Sequence, residues 1–89
     1  MLPFNKLLNF FILINMLKTL SNISVNTKCI VIKIDTNNSI YNRLFELGVR
    51  ENEEICVLYK SLFNTPIIVE TFGIQIALDN SITNKILVK

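Results

Sequence analysis

The sequence predicts a mainly-β domain, a small closed barrel of about five short strands with one short helix laid against it. Three observations carry that expectation. Apolar and polar residues alternate with the strand period through 28–35, 54–60, 67–72 and 74–79, and Ile86, Leu87 and Val88 make a last short run. Only Ser39 to Gly48 repeats apolar residues at helical spacing, at Ile40, Leu44 and Leu47, before a glycine stops it. Short strands of even spacing are well served by closing the sheet, which leaves few free edges.

The chain has 89 residues, enough for one small domain. Its 51% apolar content excludes disorder. Nine Lys or Arg stand against seven Asp or Glu, for a net charge of +2. Lys28, Lys33, Arg43, Arg50, Lys60, Lys85 and Lys89 are interleaved with Glu46, Glu51, Glu53, Glu54 and Glu70, which is not the basic stripe a phosphate backbone requires. The chain has no histidine, the most frequent general base and metal ligand.

Residues 1–15 form an apolar extension, with Leu7 to Leu17 nearly uninterrupted behind Lys6. The run is too short to span a bilayer, and no small-residue cleavage site follows it. Three readings stay open: a helix packed on the domain, a poorly ordered extension, or a targeting or membrane-touching element through residues 7–17. Met16 can serve as an alternative start, so the domain itself is drawn as 16–89. From Leu17 to Val25 the spacing predicts one helical turn and an entry into the first strand, with Asn26 turning the chain.

In Lys28 to Asp35, Ile30, Ile32 and Ile34 are expected on the well-buried face and Cys29, Val31 and Lys33 on the other. Asn38 or Ser39 is the expected cap of the helix, within which Leu44, Leu47 and Ile40 face the sheet and Arg43 and Glu46 face outward. Arg43 is either part of a solvated face or a partner contact. Gly48 suits the left-handed position past the helix end, and Asn52 the next turn. Glu51, Glu53 and Glu54 crowd that turn; a solvated turn is favoured over a cation site, because neighbouring carboxylates diverge at a strand entry.

Ile55, Val57 and Tyr59 then alternate against Cys56, Leu58 and Lys60. Ser61 to Pro66 is a hairpin loop turning at Asn64, with Leu62 and Phe63 at its tip. Large apolar residues there are either an exposed partner anchor or, for Phe63, a lid folded over the barrel end. Ile74, Ile76 and Leu78 share one face of the strand after Gly73, and Asp79 or Asn80 caps a single helical turn. Cys29 and Cys56 both lie in strand patterns and read as free thiols, with a disulfide as the alternative.

In its order of elements, Leu17 to Val88 resembles the FeoA family, the small ferrous iron transport protein A, also found as the C-terminal domain of iron-dependent repressors. Arg43, Leu44, Leu47 and Gly48 stand where that family ends its helix in Arg-Leu-x-x-Leu-Gly, followed by Pro66, by Gly73, by Ile76 to Leu78 and by Ile86 to Val88. Glu51-Asn52 replaces the family's Pro-Gly, and Asn64-Thr65 its Gly-Asp before the proline. The resemblance implies an SH3-like barrel and a non-catalytic accessory role in ferrous iron uptake. It further implies binding to the cytosolic part of a FeoB-like permease, in the cytoplasm or peripheral to the inner face of the membrane. The candidate contacts are Arg43, Leu62 and Phe63, with no catalytic residue, cofactor or metal ligand expected. Weak self-association is allowed for, and a small nucleic-acid-binding or regulatory SH3-like domain is the alternative.

Overall fold

The computed structural model describes residues 3–63 and 65–89, apart from the side chains of Phe10 and of residues 12–15. The helix α1 (Phe4–Met16) precedes a two-residue strand β1 (Lys18–Thr19) and a 3₁₀ turn, Leu20–Asn22. Then come β2 (Thr27–Ile34), α2 (Asn38–Leu47), β3 (Glu54–Lys60), β4 (Ile67–Thr71), β5 (Ile74–Leu78), α3 (Asn80–Thr83) and β6 (Ile86–Val88). Five of the six strands lie where alternation placed them. The sixth, β1, is too short for a period to show.

The expected closed, SH3-like barrel of about five strands with one helix is not what forms. Among the described residues six antiparallel strands run in the linear order β1-β6-β2-β3-β4-β5, with β1 and β5 as the two edges, and three α-helices accompany them. Closure would require β1 to pair with β5 as well as with β6. With only Lys18 and Thr19, paired to Val88 and Leu87 of β6, β1 offers too short a second edge. Beside β5 lies α2: Leu44 and Leu47 share a groove with Ala77 and Leu78.

Register and two bulges account for the faces that alternation misassigned. The first half of β2 pairs with β3 (Thr27 to Ile30) and the second half with β6, with a register shift between Val31 and Lys33. Cys29 stands opposite the buried Ile55, so Cys29 and Val31 face the core and Ile30 and Ile32 are only half-buried. An extra residue inverts the phase beyond it, which brings Ile34 back to the core face. In β3 the register shifts between Val57 and Tyr59, so Ile55 and Val57 are buried while Tyr59 is exposed. Ile74, at the mouth of the β4–β5 hairpin, is exposed, whereas Ile76 and Leu78 are core as expected.

The core gathers Leu20, Val31, Leu44, Val49, Ile55, Val57, Ile67, Val69, Ile86 and Val88 with their neighbours. The cap of α2 is Asn37, one residue earlier than expected, its side-chain oxygen accepting from Ile40 N at 2.9 Å. At the other end Gly48 adopts φ 99° and its N–H bonds back to the Phe45 carbonyl. Leu44 and the half-buried Ile40 pack inward, but Leu47 is exposed, and Tyr41 packs against the core in its place. Asn52 takes the expected left-handed turn position at φ 71°, and Asn26, expected only to turn the chain, is left-handed as well at φ 64°. Asp79 is the cap residue of α3, its carbonyl accepting from Ile82 and Thr83. The expectation of a turn at Asn64 lies outside the described residues.

Candidate partner-binding surface

Leu62 and Phe63 stand 89% and 81% exposed, so Phe63 does not fold back as a lid. The root of their loop is well tied. Ser61 N donates to the Pro66 carbonyl at 3.3 Å, and Thr65 N donates to Ser61 Oγ at 2.7 Å. Thr65 Oγ1 donates to Asp79 Oδ1 and accepts from Asn80 N, both at 3.3 Å, which fastens the loop to the start of α3. Lys60, just before the loop, spends its ammonium on the Ser21 carbonyl at 2.7 Å. An apolar tip on a pinned root loses little conformational entropy when it is buried by a partner.

Arg43 stands apart from that tip. It lines a groove of about 190 Å³ with Ile40, Leu44 and Leu47 of α2, Ala77 and Leu78 of β5, and Ile82 of α3. The two features meet at the end of β5: Leu78 lines the groove, and the next residue, Asp79, receives the loop's Thr65.

Sequence reasoning passed over a second apolar group. Phe72 is exposed and carries φ 52° in the β4–β5 turn, where Asn, Asp or Gly would be expected. The Arg50 guanidinium lies 4.3 Å from the Phe45 ring centre and 5.8 Å from that of Phe72, and its Nε donates to the Phe45 carbonyl at the end of α2. Arg50 and Phe72 border a groove of about 260 Å³ with Glu46, Leu47, Gly48 and Ile74. The signal was present in the chain: a bulky residue before Gly73 at a two-residue turn has an unusual backbone conformation to explain.

The acidic turn disperses rather than converging. Glu51 accepts from the Tyr41 hydroxyl at 2.8 Å, a bond that raises the phenol's pKa, while Glu54 stands 3.9 Å from Lys28. Among the described residues no group of three or more His, Cys, Asp or Glu is placed to hold a metal ion. Cys29 and Cys56 are both free. The Cys29 thiol is buried, donates to the Ile55 carbonyl at 3.5 Å, and is pushed up from an ordinary 9.0 to about 11, by burial first and then by Cys56 and Glu54.

A raised thiol pKa means that the unfolded chain loses this proton first as pH rises. The contribution is therefore complete below about pH 9 and is lost as pH climbs toward 11. Urea titrations of the parent and of Cys29→Ala across that window should show a steeper loss in the parent. Parallel curves would place the alkaline transition on other groups.

An open antiparallel sheet with an exposed apolar loop tip and a cation-lined groove has the make-up of a small binding domain. The family model described as the FeoA domain matches residues 18–89, and the chain belongs to that family. It is accordingly a non-catalytic accessory protein of ferrous iron uptake.

Solved structures share the fold. An iron uptake regulatory protein (FeoA) superposes with TM-score 0.73 at 24% identity, over 83% of this chain and 96% of its own. FeoA from Chlorobium tepidum gives TM-score 0.75 at 21% identity, over 80% and 68%. Zinc-complexed FeoA from Stenotrophomonas maltophilia gives 0.68 at 28% identity, over 81% and 89%. A search of curated proteins gave no match. FeoA proteins generally interact with the FeoB permease.

Proposed function

We propose that this chain binds the cytosolic domain of a FeoB-like ferrous iron permease through the Ser61–Pro66 loop, at the inner face of the membrane. Leu62 and Phe63 supply the apolar anchor, and Arg43 supplies a cation on the adjoining groove. The observation that carries the reading is the near-complete exposure of two large apolar side chains on a loop whose root is hydrogen-bonded to α3. Partner anchors are of this kind: rigidly presented, apolar and unburied until the partner arrives. The surrounding charges are mixed in sign, which favours a protein surface over a polyanion.

Phe63→Ala is expected to weaken that complex by about 2 kcal/mol or more, roughly a thirtyfold loss of affinity. The check is a calorimetric titration of parent and variant against the permease's cytosolic domain, with thermal unfolding of both run alongside. Folding should be unchanged, since the side chain is 81% exposed. Equal affinity for the two proteins removes Phe63 from the interface; no binding by the parent removes the permease. A chelator should leave the affinity as it was.

A further inference from the structure

The apolar face of α1 has no part in the FeoA match, which begins at residue 18. Phe4, Leu7, Leu8 and Phe11 recur at the i, i+3, i+4, i+7 spacing that places them on one side of a helix, with Asn5, Lys6 and Asn9 on the other. All four are exposed, Phe4 by 80% and Phe11 by 63%. A face of this size left to water is an interaction surface or a liability.

We propose that α1 lies along an anionic lipid surface, with Phe4, Leu7, Leu8 and Phe11 seated at the boundary between headgroups and acyl chains. Its length decides between lying and spanning. Thirteen residues reach only about 20 Å, short of the roughly 30 Å hydrocarbon layer. Among the described residues no helix is long and apolar enough to cross a membrane.

Charge decides the chemistry of the occupant. Lys6 lies in the first turn and Lys18 just past the last, and no Asp or Glu occurs before Asp35. Negatively charged headgroups would meet two cations and no carboxylate, whereas an acidic partner surface would offer nothing to the aromatic and leucine side chains. The helix contributes the apolar term and the lysines the salt-sensitive one. The assignment does not depend on the permease reading, because it uses neither Arg43 nor the Ser61–Pro66 loop.

The test is vesicle flotation of the full chain with phosphatidylcholine alone and with phosphatidylcholine containing phosphatidylglycerol, at low and high salt. The chain should float with the anionic vesicles, less with the neutral ones, and less again at high salt. Replacing the apolar face together (F4N, L7N, L8N, F11N) should cut the bound fraction by at least about tenfold while the domain keeps its cooperative unfolding transition. Reversing Lys6 and Lys18 to Glu should abolish the preference for anionic vesicles. The proposal fails if the parent does not float, or if the polar-face variant floats equally well. It also fails if the parent forms oligomers that the variant does not and ignores lipid, since a second copy would then be what covers the face.

Discussion

Leu44→Ala is expected to destabilise the domain by about 2–5 kcal/mol, the range for removing a fully enclosed leucine and leaving its cavity unfilled. Leu44 is 2% exposed, the one fully buried side chain of α2, and it reaches the core shared with Val31, Val49 and Ile55. A ten-residue helix has too few turns to hold itself in water, so its hold on the sheet rests on this contact and on the partly buried Ile40 and Tyr41. Urea titration of parent and variant gives the value directly. Leu47→Ala is the internal contrast: that side chain is exposed, and its loss should cost less than about 1 kcal/mol. Similar costs at the two positions would mean that α2 packs through a different stripe.

Gly48→Val should be comparably damaging, for two separate reasons. The backbone there sits at φ 99°, where a β-branched residue costs roughly 1–3 kcal/mol. A Cβ would also come within 3.1 Å of Phe72 Cδ2 and 3.3 Å of Thr71 Cγ2, adding an overpacking cost of about 1–3 kcal/mol unless the hairpin shifts. Thr71 cannot give way freely, because its buried hydroxyl donates to the Gly48 carbonyl at 3.0 Å. Gly73 is the contrast, free of both causes when Asn replaces it. It has φ 74° but nothing within 4 Å of an added Cβ, so Gly73→Asn should be nearly neutral. Thermal unfolding of the two variants checks the pair; a Gly48→Val protein as stable as Gly73→Asn would show that neither the conformation nor the contact constrains the end of α2.

Much of the candidate surface was legible before any coordinates. Leu62 and Phe63 in a loop otherwise made of Ser, Asn, Thr and Pro stand out by composition, and the structure leaves both in water. Arg43 was legible only as an outward-facing helical residue. That it borders a groove with Ala77, Leu78 and Ile82 depends on where β5 and α3 arrive, some 34 to 39 residues later in the chain. The Phe45, Arg50 and Phe72 stack was not legible as a group. Its members come from the end of α2, the following loop and a hairpin tip, and only the packing of that tip onto Gly48 brings them together.

Local chemistry by itself determined five strands, the helix that ends at Leu47 and the left-handed turns at Gly48 and Asn52. Each rests on periodicity or on the φ preference of one residue, and both act within a few positions of the chain. Which side of β2 is core, whether Tyr59 is in or out, and whether the sheet closes were decided by tertiary structure. Cys29 and Val31 take the interior in place of Ile30 and Ile32 because the register with β3 sets Cys29 opposite the buried Ile55, and the bulge at Val31 to Lys33 returns Ile34 to the same face. The sheet stays open because β1, only two residues long, offers almost no second edge while α2 lies beside β5. Alternation records that a strand has two faces; which of them is buried depends on the partner strands and on the register they impose.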